Sequence, residues 1–375
     1  MAPVQLTEFP TPSTLDLEAL VRPSIRAMPA YAPSQRSGGG GRRIRLDMNE
    51  SPYGPSPKAR AAIAAFDEEH RYPDFEAVAL REALGRYVGA PADRIIAGAG
   101  LDDVLNIVGL LLLDPGDEAI VSEPTFGVYR ALVSLGGGVP VDVPLKPGFE
   151  LDADGVLAAI TPRTKLVMIC TPNNPTGNVL DPAAIEQVVA GAGCLVAIDE
   201  AYAEFAGASH LPLMERYPNV AILRTMSKFA GLAGMRVGYG VFPEPLIPHL
   251  WNVKPPFNIA GVSAAAAIAS LDDLPYLQGV VARIIADREA LAANLRELPG
   301  VEPLPSATNF LLVRLPLADA APVMAALRER GVFVRHFAQP SHGIADCLRV
   351  TVGTPEENEI FLNELGDILR KQEAL

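Results

Sequence analysis

Between residues 94 and 242 six short runs are apolar at consecutive positions: "RIIAGAG", "EAIVSEP", "KLVMICTP", "CLVAIDEAY", "VAILRTMSK" and "RVGYGVF". Strand side chains alternate between two faces, so runs apolar on both predict central strands covered by helices on each side. Helical stretches such as "LDDVLNIVGLLL" separate them, the alternation expected of an α/β domain with a largely parallel sheet. Beyond residue 270 the pattern changes. A long helical region, "YLQGVVARIIADREALAANLREL", leads to a strand "NFLLVRLP", a helix "AAPVMAALRERG", short strands "VFVRHF" and "CLRVTVG", and a last helix, which together predict a smaller α+β domain. The first 36 residues are proline-rich and predict an extended arm with one helical turn, and "SGGGG" at 37–41 a flexible joint. The expected organisation is arm and joint over 1–41, large domain over 42–270 and small domain over 271–375.

Composition narrows the function. Lys+Arg number 31 against 44 Asp+Glu, and a net charge of -13 argues against a nucleic-acid footprint or an anionic membrane surface. Cys170, Cys194 and Cys347 have neither disulfide-framework nor zinc spacing, which fits a reducing cytoplasm. The N-terminus "MAPVQLTEFPTPSTLDLEAL" lacks a basic region followed by an apolar core, and no apolar run reaches the ~20 residues of a membrane span. A soluble, unexported protein is expected. His70, His210, His249, His336 and His342 show no metal-ligand spacing, and neither a GxSxG elbow nor a P-loop occurs.

The polar residues gather where the predicted strands end, the usual ligand crevice of such sheets. "GAGLDD" at 98–103 lacks the third glycine of a dinucleotide fingerprint, since Asp103 stands there. It reads either as an anion cradle at a helix N-terminus or as a plain turn capped by Asp102. "TPNNPTGNVL" at 171–180 is a turn by composition. Asp199 closes a very apolar strand, where a carboxylate needs a cation: a ligand's or a structural arginine's. Lys228 follows the next strand in an apolar, small-residue segment, and Arg236 lies eight positions further on. Burial disfavours an ammonium, and the neutral amine forms Schiff bases with carbonyls. A nucleophilic lysine, a buried carboxylate and an anion cradle suit a carbonyl, a basic ring nitrogen and a phosphate on one ligand, and pyridoxal 5'-phosphate carries all three.

At this point nearly the whole chain resembles the fold-type I, class I/II pyridoxal-phosphate aminotransferases, and within them the histidinol-phosphate aminotransferase group. The resemblance rests on "LVRPSIRAMPAYAP", "NESPYGPSP", "YPD", "PTFGVY", "TPNNPTG", "DEAY", "TMSKFAGLAGMRVGY", "KPPFN" and "CLRVTVGT" taken together. It implies a large domain with a mostly parallel seven-stranded sheet sandwiched by helices, a smaller α+β domain, and ping-pong transamination between histidinol phosphate and 2-oxoglutarate. Lys228 would carry the cofactor as a Schiff base, Asp199 would pair with its ring nitrogen, Tyr202 and Asn174 would bond the ring oxygen, and Phe126 would stack on the ring. The phosphate would be held by backbone at Leu101 and Asp102, by Thr225, Ser227 and Arg236, and by Tyr72 from the second subunit of a homodimer. Tyr31, Asn49, Asn174, Arg335 and Arg349 would line the substrate pocket. The same cofactor residues suit two rival enzymes, an aromatic amino-acid aminotransferase, which differs in the substrate pocket, and a threonine-phosphate decarboxylase. A cofactor-binding regulator is the non-enzyme alternative. The chain departs from the family in writing "NESP" for the usual "NENP" and in joining the arm through "SQRSGGGGRR".

Overall fold

The computed structural model describes residues 16–26, 43–338 and 343–373. Tyr31, the glycine-rich joint and His342 lie outside the described residues. The N-terminal piece holds one 3-10 turn, Glu18–Leu20, and one helical turn, Pro23–Arg26.

The remainder begins with a two-residue strand, β1 (Ile44–Arg45). The large sheet is built from β2 (Ile95–Ala99), β3 (Glu118–Glu123), β4 (Val139–Pro144), β5 (Thr164–Cys170), β6 (Leu195–Asp199), β7 (Val220–Thr225) and β8 (Val237–Val241). Its order is β2-β8-β7-β6-β5-β3-β4. Neighbours are parallel except at β8, which runs against both β7 and β2. The apolar runs therefore sit where continuous hydrophobicity predicts. On β6, Leu195 and Ala197 enter one core with the helices Leu101–Leu112 and Val128–Gly136, while Val196 and Ile198 enter another on the opposite face.

β4 is the strand the hydrophobic pattern omits. Its sequence, VPVDVP, contains two prolines and pairs only with β3, and proline, which lacks an N–H, is tolerated on such an edge.

A four-stranded sheet, order β12-β13-β10-β9, comprises β9 (Glu302–Pro303), β10 (Phe310–Arg314), β12 (Arg335–His336) and β13 (Cys347–Thr351). The run "VFVRHF" is not one strand. Its first half, β11 (Val332–Phe333), pairs in parallel with β1, and only its second half joins β13. The core beneath this sheet takes Ile44 from β1 and Leu46 just after it, along with Phe361 and Leu365 from the last helix. The helix Leu274–Arg296 spans both cores: Leu277 and Ile284 pack under the large sheet, Leu291 and Leu295 under the small one.

Candidate active site

β2, β5, β6 and β7 end on one side of the large sheet, and strand alternation decides which end residues face each other. On β6 the odd-numbered positions share a face with Tyr129, so Asp199 turns toward that helix and Glu200 turns away. On β7 the same parity sends Thr225 to Asp199's face and Arg224 to Glu200's. Arg224 duly donates to Glu200 from Nε and Nη2 at 3.1 and 2.8 Å and reaches Glu204 at 3.3 Å. The structural arginine that could have neutralised Asp199 is therefore engaged on the other side of the sheet.

Asp199 is 3% exposed and in no ion pair among the described residues. Its Oδ2 accepts a 2.6 Å hydrogen bond from the Tyr129 hydroxyl and its Oδ1 one of 2.9 Å from the Ala201 amide. Burial pushes its carboxyl up to about 6, against the opposing pull of those two bonds. Lys228, half-buried in the turn after β7, donates from Nζ to the Met48 carbonyl at 3.1 Å. Burial, and then the positive charge of Arg349, push its amine down to about 8. A lysine in this state supplies neutral amine near neutral pH, as a nucleophile or base must.

The cradle anticipated at "GAGLDD" is built by close backbone approach. Gly100 begins the helix Leu101–Leu112 without a side-chain cap, and Asp103, not Asp102, bonds locally, accepting from the Ala99 amide at 2.8 Å. A Cβ on Gly238 would lie 2.3 Å from the Leu101 nitrogen, and one on Gly100 would lie 2.2 Å from the Arg236 guanidinium. Only glycines let β8, the helix start and Arg236 converge. Arg236 crosses that start with its guanidinium 3.3 Å from the Asp102 carboxylate. Thr225 and Ser227 lie buried nearby with their hydroxyls 3.0 Å apart.

The two asparagines after β5 separate in role. Asn173 ties its own turn to the loop after β3, bonding Thr176 in the one and Pro124 and Thr125 in the other. Asn174 turns the other way and accepts from Arg349 Nη1 at 2.6 Å. Arg349 also donates to the Asp47 carbonyl at 2.6 Å and lies over the Phe310 ring. Arg335 is its direct cross-strand neighbour, Arg335↔Arg349 in the β12–β13 register. Side chains directly opposite on a sheet share a face, so both guanidinium groups serve the same side of the small sheet. Tyr202 is buried edge-on to Phe310, and its hydroxyl accepts from Asn49 Nδ2 at 2.9 Å. Phe126 packs edge-on to Tyr129. Tyr72 stands apart: it is 84% exposed and stacked on Phe257 at 4.8 Å. His336 is engaged by the Ala345 carbonyl and Asp319, and His210 by Glu200.

These donors fit pyridoxal 5'-phosphate. A buried carboxylate without a cation suits a ring nitrogen, a hydroxyl that donates to no described residue suits a ring oxygen, and a glycine-lined helix start with one arginine and two hydroxyls suits a phosphate. The fold and the site define a pyridoxal-phosphate transferase of the class I and II aminotransferases. The family model "Aminotransferase class I and II" matches residues 42–365, and the chain belongs to that family.

Within it, the chain groups with the histidinol-phosphate aminotransferases. It is 44% identical over 369 residues to the histidinol-phosphate aminotransferase of Roseiflexus castenholzii, covering 94% of this chain and 99% of that one. It is 41% identical to histidinol-phosphate aminotransferase 1 of Archaeoglobus fulgidus, covering 87% and 99%. Among solved structures, the Sinorhizobium meliloti histidinol-phosphate aminotransferase in complex with pyridoxal-5'-phosphate superposes with a TM-score of 0.86 at 30% identity, covering 96% and 99%. The protein is a pyridoxal-phosphate-dependent aminotransferase.

Tyr129 and the backbone carbonyls of Asp47 and Met48 are the contributors that sequence reasoning missed. Tyr129 lies three positions after Phe126 in "PTFGVY", in the first turn of the helix Val128–Gly136. The carbonyls carry no residue-type signal.

Proposed function

We propose that this enzyme transfers the amino group of histidinol phosphate to 2-oxoglutarate, giving imidazole acetol phosphate and glutamate in histidine biosynthesis. The observation that carries the substrate assignment is the Arg335↔Arg349 cross-strand pair, since two arginines suit a phosphate dianion whereas one bidentate arginine is enough for a carboxylate. Histidinol phosphate has no carboxylate, so its phosphate is the anion these arginines would receive. The keto acid of the second half-reaction would offer its carboxylate to Arg349 in turn. The relatives' names support the same reading.

Bound pyridoxal 5'-phosphate supplies the electron sink for charge developing at the substrate Cα. Asp199 would hold the ring nitrogen, Tyr202 and Asn174 the ring oxygen, and Phe126 the ring face. Leu101 and Asp102 amides, Thr225, Ser227 and Arg236 would hold the phosphate. Lys228 would anchor the cofactor covalently, then take the proton from the substrate Cα as base and return it as acid, for which an amine near 8 is suited. Asn49 and, by resemblance, Tyr31 complete the proposed pocket.

Tyr72 would reach the phosphate of a second copy of the chain, making the enzyme a homodimer; its exposure beside exposed Phe75 and Phe257 supports this. We further infer domains over 42–270 and 271–375, joined through the helix Leu274–Arg296, and a cytoplasmic location. The three cysteines are free, and among the described residues no helix is long and apolar enough to cross a membrane.

The test is side-by-side kinetics on histidinol phosphate, phenylalanine and threonine phosphate with 2-oxoglutarate. Histidinol phosphate should give the highest kcat/KM, and Arg335→Gln should lower it about tenfold or more, the scale of one charge-assisted bond, while barely changing phenylalanine. Fast turnover of phenylalanine with none of histidinol phosphate would sink the substrate assignment.

A further inference from the structure

Three consecutive residues, Asp47, Met48 and Asn49, each hold a different functional side chain. The Asp47 carbonyl accepts from Arg349, the Met48 carbonyl from Lys228, and the Asn49 side chain donates to Tyr202. Only Asn49 makes its contact through its side chain. It is 2% exposed and sits at φ 52, a left-handed conformation that asparagine tolerates better than most residues.

The hydrogen bonds around it settle which way its amide points. The Asn49 backbone N–H donates to Thr351 Oγ1 at 2.9 Å, so the threonine hydroxyl keeps its own hydrogen. That hydrogen goes to Asn49 Oδ1 at 3.1 Å. The Asn49 carbonyl in turn accepts from Asn309 Nδ2 at 3.0 Å, which pins the backbone. With Oδ1 committed to Thr351, the Nδ2 group must face Tyr202, and it donates to the phenol oxygen at 2.9 Å. A tyrosine oxygen that accepts here has its own proton left over. Among the described residues no acceptor takes it.

We propose that Asn49 is a positioning residue that aims the Tyr202 hydroxyl proton into the crevice, ready to be donated to the cofactor's ring oxygen. This departs from the substrate contact implied for Asn49 by resemblance, and it rests on the assignment of Tyr202 to the ring oxygen. The effect is directional: a donor on the ring oxygen stabilises negative charge there and lowers the pH at which the bound cofactor loses its proton. Asn49→Asp keeps the size and the tolerance of positive φ but turns the group facing Tyr202 into an acceptor. The phenol would then donate to the introduced carboxylate instead of into the crevice. Asn49→Gly, which suits φ 52 without adding a buried charge, removes the donor to Tyr202 together with the acceptor of the Thr351 hydroxyl and puts no acceptor in their place.

The experiment is a pH titration of the holoenzyme's visible absorbance band, with cofactor affinity of the apoenzyme as a second readout. It is run on the native chain, Asn49→Asp, Asn49→Gly, Tyr202→Phe and the Asn49→Gly/Tyr202→Phe double variant. Both Asn49 variants should raise the midpoint, Asn49→Asp by about one unit, the tenfold change expected from losing one hydrogen bond to a charged group. In the Tyr202→Phe background Asn49→Gly should add nothing, because the proton it directs is gone. Equal shifts in both backgrounds, or none with Tyr202 present, would overturn the role of Asn49 alone. If Tyr202→Phe itself left the midpoint unmoved, the ring-oxygen assignment of Tyr202 would fall, and this inference with it.

Discussion

Asp199 and Glu200 are consecutive, both almost inaccessible, and held in opposite electrostatic states. Glu200 is met by Arg224, His210 and Ser209, and although burial opposes ionisation, these contacts hold its carboxyl below the usual range. Arg224 is shifted the other way, further into its charged form, by Tyr239, Glu200 and Glu204 acting against burial. On the opposite face Asp199 and Lys228 are each pushed toward neutrality, one up and one down, because burial there outweighs the contacts that oppose it. The chain completes the Glu200–Arg224 pair behind the sheet and leaves Asp199 and Lys228 incomplete in the crevice. An incomplete buried charge destabilises the fold, so its presence marks a place where a ligand supplies the missing groups.

The largest expected effect tests the incomplete face. Lys228→Ala should reduce transamination by ~10⁴-fold or more, removing both nucleophile and base, and should abolish the borohydride-reducible link between protein and cofactor. A reducible adduct in that variant would assign the link to another lysine. The complete face should respond in stability instead. Glu200→Gln leaves Arg224 short of a buried counter-charge, and urea denaturation should show a loss of about 3–5 kcal/mol with kcat changed less than about threefold. A fall in kcat without a fall in stability would erase the distinction between the two faces.

The chemistry of the crevice face was legible in the sequence, its geometry only partly so, and the Glu200–Arg224 pair behind the sheet was not read there. Continuous apolar runs located six of the seven large-sheet strands, and Lys228 and Asp199 stood out because charged residues rarely end such runs. β4 escaped because its two prolines argue against a strand unless its edge position is known. The break of "VFVRHF" into two strands depends on β1, at the other end of the described chain, and strand pairing at that range leaves no local trace. The division of labour between Asp199 and Glu200 was present in the alternation of "AIDE" and "ILRT", but it needs the helices on each face before it says which side is the crevice. The fixing of Lys228 and Arg349 by backbone carbonyls was not legible at all.

Asp199→Asn should act with opposite signs on activity and stability. With cofactor bound, losing the carboxylate opposite the ring nitrogen should lower kcat by ~10³-fold, the scale of one electrostatic stabiliser in a dry site. Without cofactor the same change should stabilise the fold. The folded carboxyl titrates at about 6 against an ordinary 3.8, so the folded state binds more protons between those values and stability falls as pH rises through that window. Replacing it should therefore gain about 3 kcal/mol above pH ~6 and nothing below pH ~4. Thermal unfolding of the apoenzyme across that range measures it; no gain at alkaline pH would mean that Asp199 is fully compensated within the chain.

Tyr129→Phe gives the smallest effect and the finest test of the incomplete face. The phenol is one of two donors on Asp199, and its bond at 2.6 Å is charge-assisted only while the carboxylate is ionised. Removing it should destabilise the apoenzyme by about 1–3 kcal/mol near pH 8, where a buried acceptor loses its donor. The cost should shrink near pH 5, because Asp199 without Tyr129 titrates still higher and is protonated there in both proteins. Denaturation of native and variant apoenzyme at the two pH values separates this from simple packing loss, which a missing hydroxyl would cause equally at both. A pH-independent cost would make Tyr129 a core residue that only happens to touch Asp199, and the residual support of that carboxylate would then fall to the Ala201 amide alone.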